Sequence, residues 1–151
     1  MEIIEISKRP DLIAKGVEYY IEKWATNTNY TFYQDCILNS LNPAILLPKF
    51  YLLLEQNHII GSYALLRNDF VSRQDLSPWF ACLYVNAEYR NKGLAELLLN
   101  HGVQEANSKG FETIYLITDL VNYYERKNWN YLGVGYGITG SEIKIYAKST
   151  F

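Results

Sequence analysis

Hydrophobic and polar positions along the first half of the chain alternate with two periods, one typical of strands and one of helices. Residues 2–6, EIIEI, alternate as a half-buried strand does. A helix is predicted to open near Pro10, since proline is tolerated in a first turn, and a weaker helical pattern covers about residues 30–41. Residues 49–68 predict two strands joined through Gln56 and Asn57, as in a hairpin.

The second half predicts strands and helices in alternation. In order, the pattern gives a polar loop (69–79), a strand (80–85), a helix from Leu94 to about Ser108, a strand (113–118), a short helix (120–129) and closing strands at 130–137 and 142–147. The strand, helix and strand within residues 80–118 form one parallel βαβ unit. We therefore predict a mixed α/β fold, a mainly antiparallel sheet with one parallel pair, as a single domain over residues 1–151.

Composition and charge narrow the classes of function. Hydrophobic residues make up 49% and charged residues 20% of the 151 residues, a globular balance, and the net charge of −2 argues against nucleic acid as a partner. Cys36 and Cys82 form no CxxC pair, so no metal site and a reducing, cytoplasmic location are expected. The acidic N-terminus and the short apolar stretches predict neither a signal peptide nor membrane association.

Candidate chemistry first appears where strand 80–85 leads into the helix at Leu94. The connection YRNKG carries Arg90, Lys92 and Gly93 just before the helix, whose N-terminus exposes unpaired N–H groups and a partial positive charge. Such an end binds phosphate groups readily, and glycine lets a ligand approach the backbone. On this turn alone, a phosphate site and a plain turn with solvated cations remain equally open. The stricter GxxxxGK[ST] and GxGxxG motifs are absent here.

Two motifs resemble those of the GNAT superfamily of N-acetyltransferases. Arg90, Gly93 and Ala95 fill the specified positions of its acyl-CoA-binding motif, [R/Q]-x-x-G-x-[G/A]. Downstream, NYYERKNW is similar to the second motif of the family, commonly FYEKLGF, with Tyr124 on its tyrosine. Asn128 takes the place of the usual glycine, which a left-handed turn accepts because asparagine tolerates that conformation. The two motifs occur in the family's order, with strand 113–118 between them.

The resemblance implies acetyl-CoA as co-substrate and a single domain of the GNAT type. The pyrophosphate of acetyl-CoA would lie on backbone N–H groups of the turn, namely those of Arg90, Asn91, Lys92, Gly93, Leu94 and Ala95. Strands 80–85 and 113–118 would splay, leaving backbone groups of Leu83, Tyr84 and Val85 for the pantetheine arm and the acetyl carbonyl. Tyr124 would be the acid that protonates the departing sulfur.

The general base and the acceptor remain open. Many family members carry a carboxylate near the position of Cys82, which we interpret as a structural thiol. Asp69, Asp75, a water molecule or no base at all are the alternatives. The acceptor is expected to be a primary amine of a small molecule or peptide, and the protein a monomer or homodimer. Aromatic residues within 19–33 suit a cationic amine or simple helix packing equally.

Two other functions compete with that of an N-acetyltransferase. A non-catalytic acyl-CoA-binding or sensing module would keep the turn and lack the chemistry, and the missing strand carboxylate is its best support. A nucleotide-binding domain of another type would rest on the glycine turn alone. The tyrosine at position 124 favours the enzyme over the sensor.

Overall fold

The computed structural model describes all 151 residues and contains three α-helices and seven β-strands. None of the helices has the length and apolar character that a bilayer crossing requires. In chain order the elements are β1 (Glu2–Glu5), α1 (Ile13–Trp24), α2 (Tyr30–Asn39), β2 (Lys49–Glu55), β3 (His58–Leu66), β4 (Trp79–Val85), α3 (Leu94–Ser108), β5 (Thr113–Thr118), β6 (Asn130–Tyr136) and β7 (Glu142–Ser149).

The sheet has the predicted mixed topology. Its strand order is β1-β2-β3-β4-β5-β7-β6, in which β4 and β5 are parallel while the pairs β1–β2, β5–β7 and β6–β7 are antiparallel. The predicted hairpin between β2 and β3 is confirmed, since Gln56 and Asn57 both have positive φ, at 50° and 65°, as a tight two-residue hairpin turn requires. The mixed α/β fold class with one parallel βαβ unit is therefore confirmed.

Contacts between Cα atoms group the chain into two compact units. Unit 1 comprises Met1–Ala64 and Cys82–Leu98, and unit 2 comprises Leu65–Ala81 and Leu99–Phe151. Unit 1 thus holds β1, β2, most of β3, the later part of β4, α1, α2 and the first turn of α3. Unit 2 holds the remaining part of α3 and all of β5, β6 and β7. The single domain over residues 1–151 stays a prediction.

The core of unit 1 is centred on a buried tyrosine of α1. Tyr20 has no exposed surface, and its hydroxyl lies between β2 and β3, where it donates to a backbone carbonyl of Tyr51 (2.7 Å) or Tyr63 and accepts from the Tyr51 N–H (3.2 Å). The rings of Tyr51 and Tyr63 stack with centroids 4.5 Å apart. A buried hydroxyl with partners avoids the desolvation cost of an unpaired one, so this tyrosine fastens α1 to the hairpin.

In unit 2 the core joins the β3–β4 loop to β7. Val71, Trp79 and Ile145 are buried together, and the Trp79 ring packs against Tyr115 at 5.6 Å. Trp79 is also the residue of β4 that faces Tyr115 in the parallel register with β5. The indole N–H donates to the Leu76 carbonyl at 2.7 Å, which satisfies the one polar group of this buried ring.

Two predicted helical segments need correction. The helix predicted over residues 120–129 is wrong, because only the single 3-10 turn Glu125–Lys127 forms there. Asn122 and Asn128 adopt positive φ, at 58° and 63°, and left-handed residues end a right-handed helix. The helix expected near Pro10 starts instead at Ile13, after two short 3-10 turns.

Candidate functional site

The turn between β4 and α3 has the open, left-handed backbone that its sequence predicts. Gly93 has φ of +76°, and a Cβ built on it would meet no protein atom within 4 Å. Asn91 also has positive φ, at 61°. Left-handed residues in a turn direct successive N–H groups to one side and create a concave anion site. The space beside Gly93 is thus open to a ligand.

Helix α3 adds its N-terminal end to this turn. The first bond of its ladder runs from the Leu97 N–H to the Gly93 carbonyl (3.0 Å), so Gly93 caps the helix. The N–H groups of the first helical turn have no partner within the helix and carry the positive end of its dipole. Leu94 is buried, which fixes the helix start, while residues 91–93 are exposed to solvent.

The two cations of the turn are held by aromatic rings instead of carboxylates. The Arg90 guanidinium donates through Nε to the Val85 carbonyl (2.9 Å) and lies 5.4 Å from the centre of the Tyr84 ring. Lys92 Nζ lies 5.4 Å from the centre of the Tyr89 ring. Neither cation makes an ion pair in the protein. Their charge is therefore available to an anion.

Strand β4 is distorted just before the residues predicted to bind pantetheine. Cys82 has φ of 56° inside the strand, a conformation that costs a non-glycine residue about 1–2 kcal/mol. The Ser62 hydroxyl donates to the Cys82 carbonyl at 3.0 Å and supports this backbone. Next to it, a Cβ on Gly61 would come within 2.9 Å of the Tyr84 carbonyl. Glycine at position 61 therefore permits a close approach of β3 to β4 beside Leu83, Tyr84 and Val85.

Tyr124 lies in unit 2 and is enclosed by aromatic rings. The residue is only 8% exposed, and its ring centroid lies 6.3 Å from that of Trp129 and 6.0 Å from that of Tyr146. Its hydroxyl donates to no protein group, although the oxygen is not sealed from solvent. Burial raises the pKa of Tyr124 to about 12. A fixed ring with an unused, protonated hydroxyl is a suitable proton donor for a bound ligand.

The segment that follows Tyr124 holds it in place through its backbone. The N–H groups of Lys127 and Trp129 both donate to the Tyr124 carbonyl, at 3.0 Å each. Asn128 is left-handed between them, as the substitution of asparagine for glycine in this motif predicts. The Tyr146 hydroxyl donates to Glu125 Oε2 at 2.9 Å, so the 3-10 turn is tied to β7.

Comparison with protein families decides the identity of this arrangement. The model of the acetyltransferase (GNAT) family matches residues 11–133. The chain belongs to this family. No curated protein matches the chain.

Solved structures with the same fold include several acetyltransferases. An aminoglycoside 6′-acetyltransferase type Ii shares 19% identity over 100% of this chain and 98% of its own, with a TM-score of 0.72. An aminoglycoside 6′-N-acetyltransferase complexed with coenzyme A shares 17% over the same spans, also at 0.72. A GNAT family acetyltransferase from Elizabethkingia anophelis with acetyl-CoA bound shares 16% over 98% and 97%, at 0.65. At these identities the likeness shows the GNAT fold.

The acidic loop between β3 and β4 of this GNAT protein contains two different aspartates. Asp75 is paired with Arg73 through two bonds of 2.9 Å, and this partner lowers the pKa of Asp75. Asp69 has no cation partner, and burial raises its pKa, although the Phe70 N–H donates to it at 2.7 Å. Sequence pattern gave no basis for choosing between them. In the structure, Asp69 is the carboxylate with the greater affinity for a proton.

The aromatic residues of 19–33 divide into two groups in this GNAT fold. Tyr19 and Tyr20 are buried, and the Tyr19 hydroxyl donates to Asn86 Oδ1 at 2.7 Å, so packing accounts for them. Tyr30 and Phe32 on α2 are about half exposed, and the Phe32 ring lies edge-on to that of Tyr33 at 5.6 Å. Trp24 lies edge-on to Tyr84 at 6.5 Å, and its indole N–H has no hydrogen-bond partner.

The predicted site residues are distributed over both units of this GNAT protein. The turn residues 90–95 and the strand residues 83–85 belong to unit 1. Tyr124, Asp69 and Asp75 belong to unit 2. No three His, Cys, Asp or Glu side chains cluster as ligands of a metal ion would. Sequence reasoning did not identify Trp129 and Tyr146 as the residues that bury Tyr124, since only the fold brings β7 beside the second motif.

Proposed function

We propose that this GNAT protein transfers the acetyl group of acetyl-CoA directly to a primary amine of a small molecule or peptide. The observation that carries the proposal is the turn at Gly93, left-handed and open beside the N-terminus of α3. In a chain of the acetyltransferase family, that turn provides what a pyrophosphate needs: converging N–H groups, a helix dipole and unpaired cations.

The cofactor would be held largely by main-chain groups. In this proposal the N–H groups of residues 90–95 bind the pyrophosphate, and backbone groups of Leu83, Tyr84 and Val85 bind the pantetheine arm and the acetyl carbonyl. The distortion at Cys82 supports this assignment, because a strand with an irregular backbone presents peptide groups that a regular ladder would use. The coenzyme A and acetyl-CoA bound to two structures of the same fold support it further.

Transfer requires one bond to form and one to break. The lone pair of the neutral amine attacks the acetyl carbonyl, the tetrahedral intermediate collapses, and the carbon–sulfur bond breaks to release coenzyme A. We assign the proton donation to the sulfur to Tyr124. With a pKa of about 12 the phenol stays protonated at all physiological pH values, whereas a free thiol has a pKa near 8.5. The phenol therefore acts chiefly as a hydrogen-bond donor while negative charge builds on sulfur, with proton transfer late in the step.

The amine must lose a proton before or after attack. Asp69 is the protein group that we propose for this proton, directly or through water, because its raised pKa makes it a better acceptor than Asp75. The negative charge of Asp75 is already paired with the Arg73 guanidinium. As a carboxylate, Asp69 would also attract the ammonium form of the acceptor.

One observation favours a non-catalytic acyl-CoA sensor as a second candidate. The position where many family members carry a strand carboxylate is occupied by Cys82, whose thiol does not replace a carboxylate as base. A sensor would bind acetyl-CoA at the same turn and release no coenzyme A. Tyr124, with its unused hydroxyl, favours the enzyme.

The test is release of free thiol from acetyl-CoA in the presence of amines of different classes: polyamines, aminoglycosides, amino acids and peptides with free N-termini. We expect at least one class to give turnover. Binding is measured separately by the rise in melting temperature with acetyl-CoA. Stabilisation without turnover by any amine would favour the sensor. Equal stabilisation by adenosine nucleotides that lack pantetheine would contradict the cofactor assignment.

A further inference from the structure

A short junction separates the two parts of the cofactor site that the proposed function assigns. Strand β4 ends at Val85, and the turn that begins at Arg90 follows a single 3-10 turn, Ala87–Tyr89. Asn86 lies between the strand and this 3-10 turn. The backbone at Asn86 therefore sets the distance and angle between the groups proposed to bind pantetheine and those proposed to bind pyrophosphate.

Both backbone groups and both side-chain groups of Asn86 have hydrogen-bond partners. Its N–H donates to the Ile60 carbonyl at 2.8 Å and its Nδ2 donates to the Ile59 carbonyl at 3.3 Å, so two bonds join it to β3. Its carbonyl accepts from the Tyr89 N–H at 2.9 Å, which closes the 3-10 turn. Its Oδ1 accepts from the Tyr19 hydroxyl at 2.7 Å. One residue thus joins the end of β4 to β3, to α1 and to the 3-10 turn.

The side chain of Asn86 does not take the role that is usual at its position. An asparagine that precedes a helical turn commonly accepts a hydrogen bond from one of the backbone N–H groups that follow. Asn86 precedes the turn with ψ of 142°, yet its side chain makes no such capping bond. Because the amide bonds to β3 and α1 instead, local capping does not account for an asparagine here.

Tyr19 brings helix α1 to the junction. It is buried, and its ring lies edge-on to that of Tyr84, with centroids 6.3 Å apart. Burial raises the pKa of Tyr19, so its hydroxyl stays protonated and remains a donor. A buried hydroxyl that loses its partner is costly, so the bond to Asn86 favours one position of the junction relative to α1.

We propose that Tyr19 and Asn86 are positioning residues that hold strand residues 83–85 and turn residues 90–95 at the spacing that acetyl-CoA requires. The inference rests on the proposed function, since that function supplies the ligand. A ligand with two linked parts gains affinity over either part alone only when both parts can reach their sites at once. A junction that is already fixed spares the ligand the cost of ordering it.

The test separates the spacing of the two parts from the parts themselves. Three probes are compared: acetyl-CoA, S-acetylpantetheine, which lacks the nucleotide, and ADP, which has a pyrophosphate and lacks pantetheine. Calorimetry gives the affinity for acetyl-CoA, and titration followed by nuclear magnetic resonance gives those for the weaker fragments. For wild type we expect acetyl-CoA to bind at least about 100-fold more tightly than either fragment.

Tyr19→Phe removes one hydroxyl and keeps the ring. It should weaken acetyl-CoA binding about fivefold, the equivalent of one hydrogen bond, and leave the affinities for both fragments unchanged. Asn86→Ala removes both side-chain bonds and should weaken acetyl-CoA binding about 25-fold, again with unchanged fragments. The double variant should lose no more than Asn86→Ala, because the bond from Tyr19 is already absent there.

Ser40→Ala is the matched control. Ser40 also lies in unit 1 and is buried, and its hydroxyl donates to the Ile37 carbonyl at 2.6 Å. This variant should lose stability to urea comparable with that of Tyr19→Phe and bind all three probes as wild type does.

Three results would overturn the inference and leave the cofactor assignment standing. Tyr19→Phe and Asn86→Ala, both folded by circular dichroism, could bind acetyl-CoA as wild type does. The fragments could weaken as much as acetyl-CoA, which would place the effect within one part of the site. The Ser40 control could lose the same affinity for acetyl-CoA alone, which would trace the loss to stability. A wild type that binds acetyl-CoA no more tightly than ADP would instead overturn the cofactor assignment, and this inference with it.

Discussion

The turn at Gly93 and the segment at Tyr124 differ in the groups that they offer to a ligand. The turn acts through its main chain: the φ of Gly93, the N–H groups of α3 and the open space beside them. The second segment acts through one side chain, whose pKa and orientation depend on Trp129 and Tyr146 packed around it. One region is encoded locally and the other by tertiary contacts.

This difference has a consequence for substitutions. Changes in the turn should alter cofactor affinity and leave the chemical step nearly intact. Changes at Tyr124 should do the reverse, because a group that acts on the departing sulfur matters in the transition state more than in the ground state. The following predictions test that division, from the largest expected effect to the smallest.

Replacing Tyr124 by Phe should lower kcat by about 10²–10⁴-fold, the usual contribution of general acid–base catalysis. The affinity for acetyl-CoA should stay close to that of wild type, because the turn is unchanged. Steady-state kinetics and calorimetric binding check the two quantities. Tyr123→Phe is the matched control, since it removes a hydroxyl from the adjacent ring, 4.9 Å away. Loss of only a few-fold in kcat for Tyr124→Phe would show that water or another group supplies the proton.

Replacing Asp69 by Asn should lower kcat/KM by about 10²-fold, the low end for a proton acceptor. Because burial raises the pKa of Asp69, wild-type activity should fall as the pH drops through that raised pKa, and the variant should lack this acidic limb. Asp75→Asn is the control, and it should leave the limb in place, since Asp75 is paired with Arg73. An identical pH–rate profile for Asp69→Asn and wild type would remove Asp69 from the mechanism.

Replacing Gly93 by Val should weaken acetyl-CoA binding by about 10–100-fold, the equivalent of one charge-assisted hydrogen bond at ~1.5–3 kcal/mol. The side chain would occupy the space where phosphate oxygens approach. It would also strain the left-handed backbone, costing about 1–2 kcal/mol of stability. Gly110→Val is the control, because Gly110 also has positive φ, at 89°, and open space around its Cβ position.

Both glycine variants should therefore lose similar stability, measured by urea unfolding, while only Gly93→Val loses cofactor affinity. If the two variants bind acetyl-CoA equally well, the turn serves the fold alone.

Replacing Arg90 by Ala should weaken acetyl-CoA binding less than fivefold, in line with the 0.2–1 kcal/mol typical of exposed charge pairs. Backbone groups carry most of the proposed site, and the guanidinium is partly engaged with Val85 and Tyr84. Added salt should reduce the difference between Arg90→Ala and wild type. A loss larger than that of Gly93→Val would reverse the assignment of the turn as a main-chain site.

Features that depend on a few adjacent residues could be predicted from the sequence. The hairpin at Gln56 and Asn57, the end of α3 at about Ser108 and the left-handed Asn128 are all confirmed, since each follows from backbone preferences of nearby residues. The register shift in β6 ends at Gly133, where glycine lowers the cost of an irregular strand.

Features that depend on distant residues could not be predicted. The apolar spacing of residues 120–129 suits a helix, yet the structure uses two left-handed asparagines there and packs the aromatic rings against β7. The positive φ of Cys82 could not be predicted from the neighbouring residues, since cysteine has no preference for that conformation. Asp69 and Asp75 look alike in the sequence, and only burial and Arg73 make them differ.

The distribution of tryptophan gives the protein built-in fluorescence reporters. Trp24 is the tryptophan of unit 1 and touches Tyr84 of β4, whereas Trp79 and Trp129 lie buried in unit 2. A variant that keeps Trp24 alone would emit from the cofactor strand, and one that keeps Trp129 alone would emit beside Tyr124, which can pass excitation energy to it. Emission of the two variants recorded during heating would show which of the two units melts first. Emission recorded while a ligand is added would show which unit responds first to the ligand.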